Sequence, residues 1–154
     1  SRLSSETLGK IEKTYPSWLA VRNPIDMAPG ASTGEVLGKT IKIVLEALLS
    51  DENVDGVVFI VVALRGQDAF VYSDIISQMA GRFRDKPIVS WFYGPDVDRD
   101  VAKKYDATGG TVVYPTCERA VRALAGLAQR YEFLVGAGHE GDKDVKPRGP
   151  GLTA

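Results

Sequence analysis

Six residues, Val57-Val-Phe-Ile-Val-Val62, run without a polar interruption, and all but Phe59 are β-branched. β-branched side chains favour strands, and the lack of apolar-polar alternation means that both faces of this strand are covered. Such a strand belongs in a sheet sandwiched between helices, which sets what the rest of the chain must supply. A second run, Pro87-Ile-Val-Ser-Trp-Phe-Tyr93, stops at Gly94-Pro95, and a third, Thr111-Val-Val-Tyr114, follows Gly109-Gly110 and ends at Pro115. Residues 18–22, before Asn23-Pro24, make a fourth strand, so four short strands are expected. Trp18, Trp91, Phe92 and Tyr93 read as core residues on these strands.

The segments between the strands carry helical periodicity. In residues 33–50 the apolar set Leu37, Ile41, Val44, Leu45 and Leu48 recurs every three or four positions, and Ser32 with Glu35 forms a capping box. In residues 69–84 the set is Tyr72, Ile75, Ile76, Met79 and Phe83, with Arg82 and Arg84 at the dipole's negative end. A shorter helix is expected over residues 98–105. The last, about residues 117–134, is capped by Thr116 and carries Ala120, Val121, Leu124, Ala128 and Tyr131 on one face. Strands alternating with helices of this length imply crossover connections and a parallel sheet with helices on both sides. The core domain spans residues 1–135. Residues 136–154, rich in Gly, Pro and charge without periodicity, read as a flexible tail or linker.

Composition narrows the chemistry. The 154 residues hold 19 Lys+Arg against 20 Asp+Glu, a net charge of -1, so no broad cationic face is expected for nucleic acid or an anionic membrane. One Cys and one His exclude an internal disulfide and a Cys/His metal cage. The longest apolar run is far shorter than the roughly 20 residues that span a bilayer, and no basic-then-apolar leader opens the sequence. A soluble, cytoplasmic protein is expected.

In doubly wound sheets ligands sit beyond the carboxyl ends of the strands. At the end of the 57–62 strand, Arg65, Gly66, Gln67 and Asp68 lead into the next helix. The exposed N–H groups and positive dipole there form an anion seat to which Arg65 adds charge, although a Gly turn capped by Asp68 explains the same residues. Gly34-Glu-Val-Leu-Gly38-Lys39-Thr40 resembles a phosphate loop, but Thr33 stands where its first Gly belongs. Gly38 then reads as a close-packing point and Lys39 as a solvated charge. Asp96 and Asp98, near the turn after Tyr93, lack a His, Lys or metal partner and read as helix caps. His139, in the tail, cannot build a triad, and Cys117, at a helix start without a base, reads as a small apolar residue.

The order of segments carries a further signal. Asn23-Pro24-Ile25-Asp26, the stretch Ala47-Leu-Leu-Ser-Asp51-Glu-Asn-Val-Asp55, the 57–62 strand, Lys86-Pro87-Ile-Val, and Tyr114-Pro115-Thr116-Cys-Glu118-Arg119-Ala120-Val121-Arg-Ala-Leu124 follow one another. Together they resemble the ligase-type, flavodoxin-like domain of the NDP-forming acyl-CoA synthetases, relatives of succinyl-CoA synthetase and ADP-forming acetate-CoA ligase. The resemblance covers about residues 3–131. It implies a flavodoxin-like three-layer sandwich with a mainly parallel sheet, and a part in making acyl-CoA from a carboxylate, CoA and ATP or GTP through an acyl phosphate and a phosphohistidine.

In that family the phosphorylated histidine lies in a Ser-His-Thr-Gly type motif on a neighbouring domain, and this chain contains neither that motif nor the CoA-binding and ATP-grasp domains. The resemblance therefore implies a chain inactive by itself. ATP or GTP, Mg and CoA belong to the whole enzyme, and the partners are its other domains or subunits. The family unit aims a helix N-terminus at the phosphohistidine, which by position falls on Arg65 to Asp68, though the Gly-Gly-Ile-Val-Arg-Cys-Asp run of succinyl-CoA synthetase is absent here. Asn23 and Asp26 match the Asn-Pro-x-Asp element and read as loop-shaping, with a structural Asx-turn as the equal alternative. The family's first strand has no counterpart before residues 4–8, so an uncovered sheet edge and association with a partner, self-association included, are expected. The competing function is a stand-alone regulatory or scaffolding flavodoxin-like module that binds an anionic small molecule.

Overall fold

The computed structural model of the chain describes residues 2–27, 35–62, 72–94 and 99–136. Within them run α1 (Ser5–Glu12), α2 (Glu35–Ser50), β1 (Val57–Val62), α3 (Ser73–Arg82), β2 (Ile88–Tyr93), α4 (Arg99–Ala107), β3 (Val112–Tyr114) and α5 (Cys117–Gly136). The three strands form an all-parallel sheet in the order β1-β2-β3, so each consecutive pair is joined by a helical crossover. This is the α/β architecture expected from the alternating segments, and it is consistent with a flavodoxin-like sandwich.

Register explains how the sheet divides its side chains. Val57 lies beside Ile88, Phe59 beside Ser90 and Val61 beside Phe92, so these residues share one face. All six are buried. Their apolar members join Ile41, Leu45 and Leu49 of α2, Ile76 and Met79 of α3, and Tyr105 of α4 in one core. Tyr105 is completely buried, its ring tilted against Phe92 with centroids 4.4 Å apart. Each such side chain contributes about 2 kcal/mol through burial alone, which is why the periodic stripes of α2 and α3 determine where those helices lie.

The polar member of this face is satisfied from the next segment. Ser90 and Thr111 share a hydroxyl-hydroxyl hydrogen bond of 2.8 Å, and the Thr111 hydroxyl lies 2.9 Å from the Ile88 carbonyl to which it donates. The Gly109-Gly110 pair before it has two separate tasks. Gly109 takes a φ of +68°, which favours glycine, and a Cβ on Gly110 would stand 2.7 Å from the Ser77 Cα. The turn therefore presses backbone to backbone against α3.

The opposite face is covered differently. α5 lies across it, closest to β2, with Ala120 completely buried. Close approach is allowed by Gly56, where a Cβ would meet the Leu124 Cδ1 at 2.7 Å and the Pro87 carbonyl at 3.0 Å. Towards the carboxyl ends of the strands cover runs out. Ile60 is 46% exposed, Tyr93 is exposed, and Trp91 is half-buried, stacked on Tyr93 at 4.6 Å. The second half of α5 presents Leu127, Tyr131, Phe133 and Val135 to solvent.

Three expectations are corrected. Residues 18–22 form a turn and irregular chain instead of a fourth strand, because no described strand lies alongside to complete a ladder, and Trp18 is 73% exposed. Of the aromatic residues read as core only Phe92 is fully so. Val121 and Tyr131, placed on the packed face of the last helix, are exposed: Val121 borders a cavity beside β1, and Tyr131 lies where the helix outruns the short strand β3. An unforeseen helix, α1, is capped by Ser4, whose hydroxyl accepts from the Thr7 N–H at 3.2 Å, and Ile11 anchors it against Val44 and Ala47 of α2.

Candidate functional site

A cavity of about 330 Å³ opens beside β1, along the edge where no strand neighbours it among the described residues. Pro24 and Ile25 form one wall, Val58 and Ile60 of β1 another, Val121 and Leu124 of α5 a third, and Leu45 of α2 contributes below. Asn23 reaches this cavity, preceding Pro24 through a cis peptide bond. Asp26 instead lines a smaller cavity of about 160 Å³ with Tyr15 and Arg22. The two candidate loop-shaping residues therefore face different cavities that share only Pro24 and Ile25 as lining. At the smaller cavity the Tyr15 hydroxyl is buried with no hydrogen-bond partner. Burial first, and the Asp26 charge second, push its phenol above the ordinary range.

One carboxylate fixes the cavity's floor. Asp51, buried between α2 and β1, accepts from the Ser4 N–H at 2.8 Å and the Asn53 N–H at 3.0 Å, while its own carbonyl receives the Lys86 Nζ at 2.7 Å. The backbone donors, Ser4 foremost, hold the Asp51 carboxyl well below the usual carboxylate range against the opposing effect of burial. Leu3, next to Ser4, is thereby kept in the cavity lining. Sequence reading treated Asp51 only as part of a longer motif. The Asp-Glu-Asn turn after a helix was the available signal, since Asp commonly binds the backbone two residues on.

Of the candidate phosphate-binding residues, Arg65, Gly66, Gln67 and Asp68 lie outside the described residues, as do Ser32, Asp96, Asp98 and His139. The stretch resembling a phosphate loop is regular helix from Glu35 onward, and the Thr40 hydroxyl donates to the Val36 carbonyl at 3.1 Å. From Lys39 onward the backbone N–H groups are engaged within the helix, so Lys39 and Thr40 are not part of a loop that wraps a phosphate. Cys117, a free thiol, is half-buried in the wall of the large cavity.

The chemistry of the large cavity follows from this lining. Its described side chains are apolar apart from Asn23 and Cys117, with no Lys, Arg, Asp or Glu. That lining offers no charged side chain to the phosphates of a nucleotide, the diphosphate of CoA or a Mg ion. Among the described residues no three His, Cys, Asp or Glu side chains gather as a metal site, and no helix is long and apolar enough to cross a membrane. No protein-family model matches the chain, and no curated protein matches it.

Proposed function

We propose that this chain is the ligase-type unit of an NDP-forming acyl-CoA synthetase, supplying an interface and a helix N-terminus beside the phosphohistidine instead of the histidine itself. The observation that carries the reading is where the most specific motif falls. Tyr114 ends β3 and Cys117 begins α5, so Tyr-Pro-Thr-Cys spans a strand-to-helix turn at the carboxyl edge of a parallel sheet. Ligands of doubly wound domains meet that edge. Two motif residues shape that turn: the Thr116 hydroxyl accepts from the Arg119 N–H at 3.3 Å, and Ala120 packs with no exposed surface. The parallel sheet with its helices is also what the resemblance implies.

In this reading the nucleotide, Mg and CoA are held by the other domains, in keeping with the uncharged lining of the large cavity. The chain alone completes no turnover. Adding it to the remaining domains of an NDP-forming acyl-CoA synthetase should raise thioester formation, followed by release of the nucleoside diphosphate. Equal rates with and without the chain would sink the proposal.

A further inference from the structure

β3 forms one border of the sheet: it pairs with β2, and among the described residues no strand lies on its other side. In a parallel strand the N–H and C=O of one residue point to the same neighbour, and successive residues alternate. The Val57 N–H donates to the Pro87 carbonyl at 2.9 Å, so Pro87, Val89 and Trp91 turn their main chain towards β1, and Ile88, Ser90 and Phe92 turn theirs towards β3. With Ser90 beside Val113, β3 then turns Val112 and Tyr114 towards β2 and Val113 outward. The hydrogen bonds agree, because the Val113 N–H donates to the Asp106 Oδ1 at 2.8 Å. Asp106 is an exposed residue at the end of α4. The next outward position is Pro115, which has no N–H to give.

We infer that Asp106 is a plug on this border: its carboxylate occupies the donor through which a second copy of this chain would join the two sheets, β3 against β3. Unprotected edge strands pair with other chains, and charged side chains on the edge are a common protection. The border is self-complementary. Laid antiparallel about a two-fold axis at Val113, each Val113 would donate to the other and accept from it, and the exposed Val112 would lie beside the half-buried Tyr114 of the copy. A β-branched residue opposite an aromatic one is a favourable cross-strand pair, while the Val113 side chains stay packed in their own cores. With Asp106 in place this approach fails on two counts. The donor is already engaged, and the carboxylate would lose its water against the main-chain carbonyl of the copy. A merely local role, tying the end of α4 to β3, would fix the turn and leave association unchanged. The plug acts in the same way whatever reaction the domain serves.

The test compares the wild-type chain with Asp106→Ala by amide hydrogen exchange and analytical ultracentrifugation. At low protein concentration the Val113 amide should exchange about tenfold faster in the variant than in the wild type. As concentration rises, the variant should self-associate about tenfold or more tightly than the wild type, and its Val113 amide should become protected again. Adding Val112→Lys to Asp106→Ala places a charge on the pairing strand and should return association to the wild-type level. Should Asp106→Ala fail to fold, Asp106→Ser takes its place, since its hydroxyl stops short of Val113. A wild-type Val113 amide that exchanges as fast as the variant's would overturn the inference. A folded variant that associates no more than the wild type would do the same, leaving Asp106 a local tie. Variant association that ignores Val112→Lys would also overturn it, because the contact then lies elsewhere.

Discussion

Alternate residues of the same three strands build two faces that differ in nearly every respect. On one, Phe59 is 4% exposed beneath α2, α3 and α4; one position later, on the other, Ile60 is 46% exposed. Strand propensity is equal at the two positions, so the contrast arises from what lies over them. Among the described residues three helices close the first face, while α5 alone crosses the second and leaves bare the end that adjoins the unpaired edge of β1. Buried apolar surface is concentrated on the first face, and exposed apolar surface on the second.

The sharpest way to break this comparison is to truncate one residue on each face. Phe59→Ala should cost about 4 kcal/mol by leaving a cavity in the closed core, measured by chemical denaturation. Asp51→Asn comes next, at about 2 kcal/mol near neutral pH, since it weakens the acceptor that joins α1 to the approach to β1. Its pH dependence has a defined sign. The Asp51 carboxyl is held below its unfolded value, so its contribution is complete above about pH 4 and is lost as pH falls through the lower folded value. The difference between wild type and Asp51→Asn should therefore shrink in acid, and a constant difference would show that the carboxylate's charge is irrelevant. Ile60→Thr should change stability by less than about 1 kcal/mol, because the side chain is already half in water. A loss matching that of Phe59→Ala would mean that the second face is closed in solution.

Much of the closed face could be read from residues alone. The unbroken 57–62 run, the stripe of α2 and the Gly109-Gly110 turn each state their structure locally, through propensity, period or backbone freedom. The open side could not be read in this way. Residues 18–22 have strand-like composition, yet a strand exists only by pairing, and composition does not say whether a partner lies alongside. Val121 and Tyr131 have the expected spacing on α5, but the first borders the cavity beside β1 and the second lies where the helix outruns a three-residue strand, and periodicity states neither. The candidate loop residues show the same limit: Asn23 and Asp26 are adjacent in motif and diverge into separate cavities. Asp51 was hidden for another reason, because its principal donor, Ser4, is 47 positions away.

The buried Ser90-Thr111 pair has a consequence for how the sheet chooses among alternatives. β3 has only three residues, and its apolar side chains are near copies of one another, Val112 followed by Val113. Because the two are identical, a one-residue slip would still present a valine to each face, so apolar contacts alone do not fix the alignment. The hydroxyl pair does, because sliding β3 would leave the Ser90 hydroxyl in the core without its partner, at a cost of about 1–3 kcal/mol. The shortest strand is thus the one whose alignment is encoded by chemistry instead of by length, and two hydroxyl groups serve there as an error check on assembly.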